Sequence, residues 1–137
     1  MNYRLSVAVK RPIGKVGFTL EVKGKTVESY VGKMATGNIK TEILSTIVKG
    51  LRVCRSHLCH EDILYIDVQN RHLQQWLDGF IEYKEYVEGL DEVFDVLESL
   101  DCRYKFVFNS NPYAGMFIER NSISTIKGSS IASIDFD

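Results

Sequence analysis

Two stretches near the start of the chain alternate large apolar residues with small or polar ones. Tyr3, Leu5, Val7 and Val9 alternate with Arg4, Ser6, Ala8 and Lys10, and Val16, Phe18, Leu20 and Val22 repeat the pattern. A period of two puts the large side chains on one face of a strand. Between the stretches lie only Arg11, Pro12, Ile13, Gly14 and Lys15. That turn is too short for a crossover helix, so the strands are antiparallel. Lys23, Gly24 and Lys25 predict a tight hairpin into a third strand that runs to about Val31. Such a meander has one apolar face, and the rest of the chain must cover it.

The period then changes. Ile39, Ile43, Leu44, Ile47, Val48, Leu51 and Cys54 recur at helical spacing. Asn38 stands before them as an N-cap, with Thr41 and Glu42 in the first turn, and the helix is expected to end near His57. The run from Asp62 to Val68 is apolar at most positions, as in a strand buried on both faces. A second helix is expected through Leu73, Trp76, Leu77, Phe80 and Ile81. A third carries Leu90, Val93, Phe94, Leu97 and Leu100, with Asp91, Glu92, Asp95 and Glu98 on its wet side. Tyr104, Phe106 and Phe108 mark another strand. Beyond Asn109 the pattern weakens: residues 118–126 suggest a short helix, and 131–136 a strand or tail. The order β-β-β-α-β-α-α-β is an α/β arrangement, a meander extended by parallel strands through crossover helices.

At 137 residues the length suits one domain. The net charge of −1 neither recruits nor repels nucleic acid as a whole, so any basic footprint must be local. Three cysteines, Cys54, Cys59 and Cys102, are too few and odd in number for a disulfide framework, which points to a reducing compartment. Charge at Arg4 and Lys10 interrupts the opening residues before a signal peptide can form, and no apolar run is long enough to span a bilayer. A cytoplasmic protein without a membrane segment is expected.

Several local matches then resemble the type 1 ribonuclease H family. Residues 20–25 (LEVKGK), Gly32, and 38–44 (NIKTEIL) are similar to that family's second and third strands leading into its first helix. Glu42 falls on the family's catalytic Glu, and Asn38 on one of its nucleic-acid-contacting Asn residues. Residues 64–69 (LYIDVQ) are similar to the strand that ends in the family's Asp-Ser-Gln. Asp67 falls on the catalytic Asp and Gln69 on the minor-groove Gln. The resemblance covers roughly residues 3–108 and fades over 109–137. It implies a single ribonuclease-H-like domain over 1–137, with a mixed five-stranded sheet, antiparallel hairpins plus parallel strands, flanked by helices.

What the resemblance implies for chemistry is constrained by two departures. Hydrolysis in the family resembles two-metal catalysis, with divalent ions about 4 Å apart held by several carboxylates. The family's first strand carries an Asp, whereas no acid precedes Glu21 here, and Lys10 is expected at that place. The fourth acid would fall near Ser122, with Glu119 as a substitute. An ammonium where a cation should sit repels that cation. The expected reading is that Lys10 neutralises Glu42 and Asp67, a vestigial pair, and that no metal site assembles. No cofactor is expected; Mg²⁺ or Mn²⁺ would be required if the chain were active. Both acids also have plainer roles, since a first-turn Glu favours the helix dipole and an Asp at a strand end often caps.

On this fold Lys10, Arg11, Lys15, Lys33, Lys40 and Arg71 would converge into a phosphate-binding face, with Asn38 and Gln69 touching sugar or base edges. The first expectation is a non-catalytic domain that binds RNA/DNA hybrid or another duplex. The alternatives are a protein-interaction scaffold or inhibitor, for example of phage type, and a metal-dependent ribonuclease H-type nuclease with a substituted acid. A protein partner would need an exposed apolar patch, for which Tyr83, Tyr86, Tyr113, Met116 and Phe117 are candidates. The cluster Cys54, His57, Cys59 and His60 has zinc-ligand residue types but no common knuckle spacing and no second pair. Cys54 is therefore assigned to the core and the histidines to the helix end. No nucleophile elbow and no P-loop are present.

Overall fold

The computed structural model describes residues 1–79, 89–108 and 113–127. In chain order it places strands β1 (Asn2–Lys10), β2 (Lys15–Val22) and β3 (Lys25–Lys33), helix α1 (Ile39–Cys54) and strand β4 (Ile63–Val68). Helices α2 (Arg71–Leu77) and α3 (Leu90–Ser99), strand β5 (Arg103–Phe108), helix α4 (Tyr113–Arg120) and strand β6 (Ser124–Lys127) follow. The strands form one mixed sheet in the order β5-β4-β1-β2-β3-β6. β1 pairs antiparallel with β2 and parallel with β4, and β4 is parallel to β5.

This is the expected α/β architecture with its five strands, and a short sixth is added at the β3 edge. The expected helix over 118–126 is corrected: α4 ends at Arg120, and Ser124–Lys127 pairs antiparallel with β3. Asn121 closes α4 by donating from its backbone N and from Nδ2 to the Phe117 carbonyl, at 3.1 and 2.8 Å. The chain is thus turned out of the helix into an extended path. Helix α1 stops at Cys54, three residues before His57. Phe80, Ile81, Tyr83, Tyr86 and the strand or tail expected over 131–136 lie outside the described residues. Among the described residues, no helix is long and apolar enough to cross a membrane.

The two faces of the sheet bury different things. Leu5, Val7, Phe18, Leu20, Leu64 and Ile66 point to one face, where Ile43, Leu44, Ile47 and Leu51 of α1 and Val93 and Leu97 of α3 cover them. This is the main core. The other face carries a smaller cluster, in which Ala8 of β1 and Val31 of β3 meet Ala114 and Ile118 of α4. Gly17 of β2 lies between Ala8 and Val31 in the register. A Cβ there would collide with the Tyr30 carbonyl oxygen and the Ile118 side chain. Small residues are therefore the condition for α4 to sit on the sheet.

Gly17→Ala should cost about 1–3 kcal/mol of stability, the usual penalty of overpacking. Urea unfolding measures it; an unchanged midpoint would mean that α4 is not seated on Gly17.

Candidate functional site

Alternation carries three further polar rows across the face that α4 covers. Two residues beyond Ala8, Gly17 and Val31, the paired ends of β1, β2 and β3 bring Lys10, Lys15 and Lys33 into a single row. Like charges on neighbouring strands oppose pairing, so each needs a partner or water. Lys10 Nζ lies 3.2 Å from Glu119 Oε1 of α4, and Lys15 Nζ donates to the Asn121 carbonyl at 2.8 Å. Lys33 is exposed, as is Arg11 in the turn after β1. Both members of the Lys10–Glu119 pair are partly solvated, so the pair is worth about 0–1 kcal/mol.

Two residues back from Ala8 the row is Asp67, Ser6, Thr19 and Ser29, from β4, β1, β2 and β3. Asp67 is 2% exposed, Ser6 1% and Thr19 0%. The Ser6 and Thr19 hydroxyls are buried without a hydrogen-bond partner among the described residues. The register corrects the sequence reading at this point. The β1 residue beside Asp67 is Ser6, and Lys10 stands four residues further along the strand. The ion pair of Lys10 is with Glu119 and lies beyond the last β1–β4 pair, Val7 with Val68.

Glu42 is held in place by the loop before its helix. Its Oε1 accepts from the Ala35 backbone N and its Oε2 from Thr36 Oγ1, both at 2.9 Å, and the residue is 5% exposed. Thr36 Oγ1 also accepts from the Asn38 backbone N at 3.2 Å, while the Asn38 side chain caps α1 by accepting from Thr41 N at 3.1 Å. The expected N-cap is thus confirmed in geometry. Gln69 leaves β4 and turns its side chain to β1, where Oε1 accepts from Val9 N at 3.2 Å. A Cβ on Gly115 of α4 would lie 3.2 Å from Gln69 Nε2 and 3.0 Å from Lys10 Cε, so Gly115, Gln69 and Lys10 are packed together. Lys40 rests over the Trp76 ring at 4.4 Å, and Arg71 over the Phe108 ring at 5.5 Å. The structure thus joins Lys10 to Lys15, Lys33 and Gln69, and holds Lys40 and Arg71 on aromatic rings of α2 and β5.

A metal centre finds no ligand set: among the described residues no three His, Cys, Asp or Glu side chains come together as one. The cysteine and histidine cluster is dispersed by its partners. Cys54 is fully buried in the core, and that burial pushes its thiol pKa up. His57 Nε2 lies 2.7 Å from Glu28 Oε1, a carboxylate 1% exposed. His60 Nδ1 lies 3.0 Å from Asp101 Oδ1 at the surface, and this hydrogen bond raises the His60 pKa.

Comparison with solved structures decides what this architecture is. Ribonuclease H1 from the halophilic archaeon Halobacterium salinarum superposes with a TM-score of 0.60 at 10% identity, over 83% of this chain and 88% of that one. The fold is that of ribonuclease H. The compost-derived LC11 ribonuclease H1 matches with a TM-score of 0.67 at 8% identity, over 86% of this chain and 93% of its own. The same enzyme in complex with RNA/DNA hybrid matches with a TM-score of 0.61 at 10% identity, over 78% and 83%. No family model and no curated protein matches the sequence. The ribonuclease-H-like fold is therefore carried by packing and topology at an identity too low for sequence matching.

Ser6 is the residue that sequence reasoning missed. Its signal was a lone hydroxyl between Leu5 and Val7, but strand position alone does not say which β1 residue faces Asp67. Ser6→Asp sets a second carboxylate beside Asp67, where the two repel until a cation joins them. The variant's unfolding temperature should rise with added Mn²⁺ while that of Lys10→Asp does not, because ligand binding to the folded form stabilises it. Equal responses of the two would overturn the register. His60 should titrate above the ordinary histidine value by NMR, and Asp101→Asn should return it. Because the folded pKa is raised, any stabilisation from this pair is present at low pH and lost as pH rises through the folded value.

Proposed function

We propose that this chain is a non-catalytic ribonuclease-H-like domain that binds RNA/DNA hybrid or another nucleic-acid duplex. The observation that carries the reading is the row Lys10, Lys15 and Lys33 on one face, at the ends of three adjacent strands, with Arg11 exposed beside it. Phosphate contacts of this kind supply most of the affinity of such interfaces and are independent of sequence. A neighbour of this fold, LC11 ribonuclease H1, has been solved with RNA/DNA hybrid, which makes hybrid the first ligand to try. Gln69 and Asn38 remain the proposed contacts to sugar or base edges. Arg71 and Lys40 are proposed to extend the phosphate contacts along α2 and α1. Three free thiols suit a cytoplasmic setting.

The same geometry supports the absence of hydrolysis. In this reading the residues present do not fit a pair of divalent ions. A neutral hydroxyl, Ser6, stands beside Asp67. Both Glu42 oxygens are taken by its own loop, and the late-helix acid Glu119 is paired with Lys10. A hard cation needs several carboxylate oxygens converging at one point. Glu42 and Asp67 are then vestiges whose present work is structural, loop closure for the first and strand burial for the second. No step of hydrolysis is assigned.

One observation favours a second reading, a protein-binding scaffold or inhibitor. Tyr113 and Met116, one helical turn apart on α4, are 40% and 41% exposed. Exposed aromatic and methionine side chains are typical anchors of interfaces.

The test is a gel in which labelled hybrid, duplex RNA, duplex DNA and single strands meet the protein with Mg²⁺, Mn²⁺ or chelator, run both native and denaturing. Retarded and intact hybrid is expected. Replacing Lys10, Lys15 and Lys33 together with Gln should weaken it by roughly 10–100-fold. The slope of log K against log salt should flatten by about 0.9 for each phosphate that the variant no longer neutralises. Metal-dependent cutting would reinstate the nuclease with a substituted acid. Neither shift nor cutting would favour the scaffold.

A further inference from the structure

The far half of the same sheet face holds a second cationic site. Two residues back from the buried polar row, Lys105 of β5, Tyr65 of β4, Arg4 of β1 and Glu21 of β2 stand side by side. Arg4 is six residues from Lys10, roughly 20 Å along the strand. Arg4, Tyr65, Glu21, Asn2 and Lys23 line a hollow of about 310 Å³. That is the lower end of the size range of small-molecule sites, roughly 300–1,000 Å³. Arg4 Nε is buried and has no hydrogen-bond partner among the described residues. A buried donor without a partner is unfavourable, so a ligand or water that accepts from it is favoured. Lys105 and Lys23 are exposed at the margins.

The arrangement selects a class of ligand. A guanidinium offers a planar fork that fits phosphate oxygens. Tyr65 lies between two cations in the register, so a base stacked on its ring would keep its phosphate within their field. Glu21 stands cross-strand from Arg4, so a bound phosphate shares the guanidinium with that carboxylate. We propose that this hollow binds a nucleoside monophosphate group, with phosphate on Arg4 and base on Tyr65. Two sources carry that chemistry, a free nucleotide and the phosphorylated end of a single strand. The site lies apart from the lysine row and does not depend on hybrid binding there.

The experiment uses the full chain labelled with ¹⁵N and follows the Arg4 Nε–H resonance. The probes are adenosine and uridine monophosphate, inorganic phosphate, and one short single strand with a 5′-phosphate or a 5′-hydroxyl. Monophosphates are expected to move the resonance and to bind more tightly than inorganic phosphate. Arg4→Gln should weaken them by at least roughly tenfold, which corresponds to about 1.4 kcal/mol. Arg4→Lys should recover part of the loss, and Tyr65→Leu should weaken nucleotide but not inorganic phosphate. Tighter binding of the 5′-phosphorylated strand than of the nucleotides identifies a strand end, and the reverse identifies free nucleotide; both support the site. Equal binding of inorganic phosphate and nucleotide, or no movement with any probe, would overturn it. Hybrid retardation measured on Arg4→Gln separates the two sites, because loss of one leaves the other intact.

Discussion

The central strand sets the limits for everything else. β1 is hydrogen-bonded on both edges, to parallel β4 and antiparallel β2, and is covered on both faces. It has no freedom to slip, because a shift by one residue would exchange its two faces. Its large residues, Tyr3, Leu5 and Val7, enter the main core. Its intervening residues, Arg4, Ser6, Ala8 and Lys10, fix what the other face presents, row by row. The seat for α4, the buried polar row and both cationic sites are all consequences of that one alternation.

The polar row shows how a charged position can be carried inside a core. Two carboxylates side by side at this depth would repel, and a cation or a proton would have to intervene. With Ser6 as neighbour, Asp67 is buried beside a hydroxyl and the repulsion does not arise. The Ser6 and Thr19 hydroxyls, buried without partners among the described residues, are not what packing alone would select, since apolar residues of similar size would avoid their desolvation. On the proposed reading the row keeps the polarity of a site whose charge has been reduced. Glu42 illustrates the same economy, because a carboxylate at the start of α1 closes the loop from Ala35 to Asn38 and needs no ion to be satisfied.

Much of this was legible in the sequence where periodicity was long. The strands through Val31, the helix opening at Asn38 and the strand ending at Val68 follow from alternation, a cap and an apolar run. Their order gives the α/β arrangement, and the ribonuclease-H-like fold follows from the resemblance of residues 20–25, 38–44 and 64–69 within it. The site was legible only in part, for a physical reason. Which residue of β1 faces Asp67 depends on the stagger of a parallel pair, and that stagger is set by crossover packing rather than by any local pattern. Lys10 is therefore expected beside Asp67, where the register puts Ser6, and its pairing with Glu119 depends on α4 passing over the end of β1. The region after Phe108 failed for another reason. Residues 118–126 mix helix-compatible and strand-compatible side chains, and the switch at Asn121 is made by hydrogen bonds back to Phe117 that no propensity encodes.

A net charge of −1 is a sum over surfaces that mix both signs, as where Arg52 of α1 meets Glu92 of α3 at 2.7 Å. Asp91, Glu92, Asp95 and Glu98 lie on α3, which packs on the main-core face of the sheet. Lys10, Lys15, Lys33, Arg4 and Lys105 lie on the opposite face, the one α4 crosses, together with Glu21, Asp67 and Glu119. On the proposed reading, a polyanion would meet the local charge of the surface it approaches and not the sum. In that reading, the lysine row gives a nearly neutral chain a local cationic surface without the self-repulsion that a uniformly basic protein of this size would carry.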